Sequence, residues 1–338
     1  MAGIDVAQRL DRLEDVRQLR LHAVDLLIGQ VEARKLCDVL DIIATDGGHE
    51  ALMVAPSGSI GPMTTQAVPI PGGRIESFSL AGGDGAPLVV LGGVETGFRP
   101  LAGTEQVLTR RWSGRADGRP VTVLGRPLPD DPADAERIMH PRVIADGVAT
   151  VLRALDLGPI AIEAESGGGR ISLWLTVDHP ELVERLVLAA VSSETPPDSP
   201  MADRMGRWIS LAEASDWGAF FAIMAQQMKA ATETEASSFA AAARLQPRPA
   251  TPERFIGELK ATLDPSSFVT DRLGEIGVPA LVLAGELDQV VPLTSTRQVA
   301  ERISGARLLT DPECGHTVRS SFAEYDSLVE AFLADGDR

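Results

Sequence analysis

The sequence predicts an α/β fold: a mostly parallel, doubly wound sheet with a helical insertion and an N-terminal helical extension. Three observations carry that expectation. Short continuous apolar runs (PLVVLGG, VTVLGRP, IAIEA, RLVLAAV and ALVLAG) alternate with helix-patterned stretches from residue 87 onward. Strands buried on both faces read as unbroken apolar runs, and strands that alternate with helices build a parallel sheet. The alternation stops between about Ser192 and Leu273, where only helical patterns occur, and a separate helical pattern precedes the first strand. The resulting divisions are 1–62 for the extension, 63–192 for the first part of the core, 193–273 for a helical cap and 274–338 for the second part of the core.

In the extension, from Ile4 to Ile43, apolar residues recur three and four apart: Leu10, Leu13 and Val16, then Leu21, Val24, Ile28 and Val31. That spacing marks an amphipathic helix, and Asp46-Gly47-Gly48 ends it. Its apolar stripe fits a helix laid over the core or an arm that joins copies into a homo-oligomer. TTQAVPI and RIESFSL, separated by Pro71-Gly72-Gly73, predict an antiparallel hairpin. HPRVIADGVATVLRALDL and the run from Arg170 to the stop at Asp178-His179-Pro180 read as helices between buried strands. Within the insertion, DRMGRWISLAEA, WGAFFAIMAQQMKAA and PERFIGELKATL have helical periodicity. Bulky side chains crowd this segment. Most suit a subdomain core, but an insertion over the carboxyl ends of a parallel sheet is also where ligand pockets form, which makes Trp208, Trp217, Phe221 and Met224 candidate substrate contacts.

Composition narrows the function. Of 338 residues 44% are hydrophobic and 23% charged, the balance of a globular rather than a disordered chain. Thirty-one Lys and Arg face 48 Asp and Glu, a formal charge of −17 that repels phosphate backbones and anionic lipid, so neither nucleic acid nor a membrane is the expected partner. The start, MAGIDVAQRLDRLEDV, lacks the basic and apolar regions of a signal peptide, and Cys37 and Cys314 make no disulfide framework. A cytoplasmic protein is expected. Scattered histidines and the lack of a zinc-type Cys/His spacing predict no metal and no cofactor.

The chemistry concentrates at Ala164-Glu165-Ser166-Gly167-Gly168, between the buried strand IAIEA and a helix. It is close to G-x-S-x-G, the turn that exposes a nucleophilic serine at a strand end, where small neighbours are needed because the backbone bends sharply. Alanine replaces the first glycine without violating the demand for small size. Gly167 places a backbone N–H at a helix N-terminus, where an oxyanion is favoured. A phosphate-binding turn is the other reading of such glycines, but neither G-x-G-x-x-G nor a P-loop lysine is present. A serine needs a base, and the base an orienting carboxylate. His22, His49, His140 and His179 sit at structurally explicable positions. His316, in a loop after the strand-like ARLLT, is left as the base. Asp288, in GELDQVVP just past the strand PALVLAG, is the candidate acid, with a helix N-cap as its alternative role. The order Ser, Asp, His is the one the turn motif predicts.

Through PLVVLGGVETG, AESGG, GELDQVVP and CGH, the chain from about Thr64 onward resembles the α/β-hydrolase superfamily of serine hydrolases with a helical cap. The resemblance implies Ser166 as nucleophile, His316 as base and Asp288 as acid. It keeps Glu194 in VSSETPP as the second choice of acid, because some members place it after the strand that follows the nucleophile's helix. It places a second oxyanion donor in Leu91-Gly92-Gly93-Val94, on Val94 or on Gly93, although the histidine common there is absent. Thr96 fits a turn role. The implied activity is hydrolysis of a carboxylic ester or lactone of a hydrophobic small molecule, aromatic ones included. Carbon–carbon bond hydrolases and cofactor-free perhydrolases use the same three residues, and a non-catalytic binding protein on this fold is the remaining class.

Overall fold

In a computed structural model the described residues are 65–228 and 248–334; the predicted N-terminal extension lies outside them. The strands are β1 (Thr65–Ile70), β2 (Gly73–Leu80), β3 (Leu88–Leu91), β4 (Val121–Leu124), the two-residue β5 (Leu128–Pro129), β6 (Ile160–Glu165), β7 (Val183–Ala189), β8 (Ala280–Gly285) and β9 (Arg307–Asp311). They form one sheet in the order β1-β2-β4-β3-β6-β7-β8-β9, with β5 paired to β2. The opening hairpin is antiparallel, as is β2 against β4, and from β4 to β9 every neighbour is parallel. The mostly parallel sheet predicted from the apolar runs is the observed one.

Those runs are continuous because both faces are covered. Along β3, Val89 and Leu91 enter one buried cluster and Leu88 and Val90 the other; along β7, Leu186 and Leu188 alternate with Val187 and Ala189 in the same way. Helices α1 (Glu105–Ala116), α2 (Pro141–Ala154) and α3 (Gly167–Asp178) follow in chain order. Ile144, Val148, Val151 and Leu152 of α2 pack with Ile171 and Leu175 of α3 on the first face, whereas Trp112 of α1 lies on the second.

Between β7 and β8 the described chain forms only helices. The main ones are α4 (Pro200–Glu213), α5 (Trp217–Met228) and α6 (Pro252–Leu263). Ser199 caps α4, accepting the Ala202 N–H at 3.2 Å ahead of a proline at the first helical position, which has no N–H to satisfy. Their apolar faces build a third cluster with Phe98 from the loop after β3 and with Val290 and Val291 from the loop after β8. Two further helices, α7 (Leu293–Arg302) and α8 (Tyr325–Ala334), complete the two sheet faces, with Val299 in the first cluster and Val329 and Phe332 in the second. No helix among the described residues is long and apolar enough to cross a membrane.

The strand order sets the position of the site. From β3 the chain moves outward to β4, then crosses back past β3 to β6 on its other side. Loops leaving the carboxyl ends of β3 and β6 therefore diverge, and a crevice opens at this switch point. Ser166 follows β6, and Gly92 to Val94 follow β3.

Candidate active site

Ser166 lies between the last residue of β6 and the first of α3, with φ 52° and ψ −120°. These angles fall outside the regions open to an L-residue, so the turn is strained and must be held from both sides. It is. The Ser166 N–H donates to the Ala189 carbonyl and the Ser166 carbonyl accepts the Gly169 N–H, each at 2.9 Å. The helix begins at Gly167, three residues earlier than the pattern at Arg170 predicts, and its glycines answer to packing. A methyl on Gly168 would overlap the carbonyls of Leu91 and Gly92, and one on Gly169 the Val191 side chain. The glycines let α3 start flush against the loop after β3.

The structure brings Ser166, His316 and Asp288 into one hydrogen-bonded chain. His316 Nε2 is 2.9 Å from Ser166 Oγ, and His316 Nδ1 is 2.8 Å from Asp288 Oδ2. An ionised carboxylate only accepts, so Nδ1–H donates to Asp288 and the Nε2 lone pair is left to accept the serine O–H. Asp288 is fixed by its other oxygen, which accepts the N–H groups of Val290 at 2.7 Å and Val291 at 2.9 Å. The loop bearing His316 is tied down as well, its own N–H and that of Thr317 donating to the Met228 carbonyl at the end of α5. The His316 and Asp288 side chains are each 2% exposed. Burial disfavours the imidazolium, but the Asp288 charge and hydrogen bond, with help from Glu165 and Glu95, outweigh it and raise the His316 pKa above its ordinary value. Such a chain can take the proton from a hydroxyl as it attacks a carbonyl.

Glu194 is elsewhere. Its carboxylate accepts from Gln298 Nε2 at 3.1 Å and its charge acts on buried Arg170, without a bond to His316. Two of the remaining histidines have structural partners: His140 accepts the Arg142 N–H at the start of α2 and pairs with Ser266, and His179 meets Asp146 at 2.9 Å. His22 and His49 lie outside the described residues.

On the opposite side of the serine, Gly167 presents the first N–H of α3. In the facing loop the Gly93 N–H is committed to Glu95 Oε1 at 3.1 Å, which removes Gly93 as a free donor. The Val94 N–H opens a 3-10 turn and has no hydrogen bond among the described residues, while the Val94 side chain approaches the Gly167 Cα. Thr96 closes the turn, its hydroxyl donating to the Gly93 carbonyl at 2.8 Å.

The aromatic candidates are placed differently from the sequence expectation. Trp208, Trp217 and Phe221 are 2%, 7% and 5% exposed, their rings packed with Phe98, Phe220 and Phe255. They form the core of the inserted helices, which leaves them little surface for a ligand; Met224 is half-buried at its margin. A cavity of about 70 Å³ is lined by Glu95, Thr96, Arg111, Glu165 and Arg319 among others, and not by Ser166 or His316; it has room for a water or two rather than a substrate.

Sequence reasoning missed the charges behind the loop that follows β3. Arg126, in the loop after β4, and Glu258, on α6, are 1% and 2% exposed and paired at 2.8 Å. The available signal was Arg254 and Glu258, four apart and beside the apolar positions Phe255 and Leu259, a charged pair on a face that should be buried.

Comparison with known proteins agrees with this architecture. The alpha/beta hydrolase fold family model matches residues 135–318. A 2-hydroxymuconate semialdehyde hydrolase from Pseudomonas sp. (strain CF600) is 30% identical over 264 residues, 75% of this chain and 89% of its own. Among solved structures, the enol-lactonase from Burkholderia xenovorans LB400 has a TM-score of 0.62 at 16% identity, covering 81% of this chain and 100% of that one. Est816, described as an N-acyl homoserine lactone degrading enzyme, has a TM-score of 0.59 at 23% identity, covering 79% and 100%. At these identities the two structures bear on the fold alone.

Proposed function

The chain belongs to the α/β-hydrolase family, and from that premise we propose that it is a serine hydrolase cleaving a carboxylic ester or lactone of a hydrophobic small molecule through an acyl-enzyme on Ser166. The unbroken hydrogen-bond chain from Asp288 through His316 to Ser166 is the observation that carries this reading. His316 takes the serine proton as Oγ attacks the substrate carbonyl. Asp288 holds the imidazole in the required tautomer and stabilises the imidazolium. The N–H groups of Gly167 and Val94 receive the oxyanion, a contact worth roughly 10²–10³ in kcat per donor. His316 then protonates the leaving group, and the sequence repeats with water to free the acid. The helices within 193–273 act as a cap over this crevice.

Charge favours a neutral substrate. Glu95 and Glu165 lie close enough to act on the charge of His316, and the neighbouring cations are already committed, Arg126 to Glu258, Arg111 to Glu165 at 3.7 Å and Arg319 to Glu163 at 3.6 Å. An ester or lactone avoids the repulsion that a carboxylate would meet there. The reading is tested with a fluorophosphonate and 4-nitrophenyl acetate: the wild type must be labelled and must hydrolyse the ester, and Ser166→Ala must do neither. A wild type inert to both reagents sinks it.

The Pseudomonas relative favours a second reading. 2-Hydroxymuconate semialdehyde has no ester bond, so its hydrolysis breaks a carbon–carbon bond. Here Arg204, whose Nη2 donates to the Val290 carbonyl at 3.3 Å, whose Nε has no hydrogen-bond partner among the described residues and whose charge interacts with Asp288, would be the contact for a substrate carboxylate. A keto-dienoate cleaved with higher kcat/KM than neutral aryl esters and lactones selects this alternative.

A further inference from the structure

We propose that the buried Arg126–Glu258 ion pair is a positioning device for the oxyanion donor Val94, so that helix α6, together with the turn closed by Thr96, sets the direction in which that N–H points. The proposal rests on the reading of Ser166 as nucleophile and Val94 as donor. A peptide unit is planar and trans, so its carbonyl and its N–H point in opposite directions. Holding a carbonyl therefore aims the N–H of the same unit.

Arg126 Nη2 donates to the Gly92 carbonyl at 3.0 Å and to the Gly93 carbonyl at 3.2 Å. The Gly93 carbonyl shares its peptide with the Val94 N–H. Turned toward Arg126, it leaves that N–H facing away from the guanidinium. The Gly92 carbonyl shares its peptide with the Gly93 N–H, which meets Glu95 on the far side. Both peptides are thus combed in one direction. Neither Gly92 nor Gly93 has a side chain to resist rotation; the Thr96 N–H and hydroxyl hold the Gly93 carbonyl from within the turn at 3.1 and 2.8 Å, and Arg126 ties that carbonyl and the Gly92 carbonyl to the body of the fold.

The guanidinium is itself immobilised. Its Nε and Nη2 face the Glu258 carboxylate at 2.8 to 2.9 Å. One turn earlier on α6, Arg254 Nη2 donates to the Arg126 carbonyl at 3.0 Å. The same segment grips the far end of the loop, where the Thr251 hydroxyl donates to the Gly97 carbonyl at 3.0 Å and the Phe255 ring packs, tilted by 53°, against Phe98 with centroids 4.7 Å apart. A planar fork that serves two carbonyls and a carboxylate together is a role for arginine, not for lysine.

The test uses Arg126→Lys and the apolar double variant Arg126→Met/Glu258→Met. The double variant removes both charges and so strands neither in the interior. With 4-nitrophenyl acetate, kcat of the double variant should fall by about 30- to 100-fold with KM little changed, since the interaction lost belongs to the transition state. The affinity for phenylboronic acid, which forms a tetrahedral adduct on the serine, should fall by the same factor as kcat/KM. Arg126→Lys keeps its partner Glu258 but reaches only one carbonyl, and should lose about 5- to 20-fold in kcat at an unchanged melting temperature, an intermediate deficit that a merely structural role would not produce. If the double variant does not fold, Arg126→Lys decides alone. Variants that fold and keep wild-type kcat, or that lose kcat without losing boronate affinity, overturn the proposal while the nucleophile reading stands. A wild type that the fluorophosphonate does not label overturns both.

Discussion

Replacing the strained serine by glycine should leave a more stable fold than replacing it by alanine, with turnover abolished in both. Ser166 carries φ 52° and ψ −120°. A side chain held in so sparsely populated a region costs about 1–3 kcal/mol, and because ψ lies well away from the left-handed helical basin the upper half of that range applies. Glycine removes this cost, but it adds about 0.5–1 kcal/mol of unfolded-state entropy and loses a few tenths from the half-buried Cβ. Relative to an alanine that loses the same hydroxyl, the net expectation is about 1–2 kcal/mol in favour of Ser166→Gly. The control is Ser166→Ala, which keeps the Cβ and loses the same hydroxyl bond to His316. Subtracting one variant from the other cancels that bond and isolates the backbone. At about 2–4 °C per kcal/mol for a domain of this size, Ser166→Gly should melt roughly 2–8 °C above Ser166→Ala. Urea unfolding with matched m-values gives the same comparison in free energy. A glycine variant that melts at or below the alanine variant refutes the claim that strain is stored in this turn.

Further expectations concern the neighbours of the serine. Asp288→Asn should lower kcat for 4-nitrophenyl acetate by about 10³–10⁴, by destroying the tautomer that leaves Nε2 free, whereas Glu194→Gln should stay within about twofold because its partners are Gln298 and Arg170; the reverse result would move the acid to Glu194. Since the reactive imidazole is the neutral one and the His316 pKa is raised, activity should fall as pH drops through a value above the ordinary histidine range. Glu165→Gln removes one of the charges that favour the imidazolium and should move this acidic limb to lower pH; a shift to higher pH contradicts the assignment. Gly169→Ala should destabilise by about 1–3 kcal/mol in urea unfolding, since its methyl overlaps Val191, and an unchanged midpoint would show that the helix is free to retreat. Cys314 should resist thiol reagents in the native state: burial pushes its pKa to about 12, and labelling that keeps pace with an exposed thiol would refute that burial.

What was legible in the sequence was whatever local chemistry dictates. PLVVLGG and ALVLAG have to be doubly covered strands because nothing polar interrupts them, and AESGG has to be a tight turn because only small residues tolerate it. The pairing of Ser166, His316 and Asp288 followed from elimination among few histidines and from strand ends, both visible along the chain. Arg126 and Glu258 were opaque for the opposite reason. They are 132 residues apart, and each becomes intelligible only when the switch point at β3 and β6 places the loop after β4 against α6. The aromatic residues of the insertion were ambiguous in a related way. A Trp or Phe at helical spacing has the same signature whether it lines a pocket or fills a core, and the distinction depends on whether other rings arrive from elsewhere. Here Phe98 arrives from the loop after β3 and closes the cluster with Phe221 at 5.6 Å and Phe255 at 4.7 Å. That contact makes the inserted helices part of the support of the loop after β3, the loop proposed to carry an oxyanion donor. On that proposal the aromatic residues of the insertion bear on the geometry of the chemical step, and a substitution at Phe98 or Phe255 should alter kcat before it alters which ester is preferred.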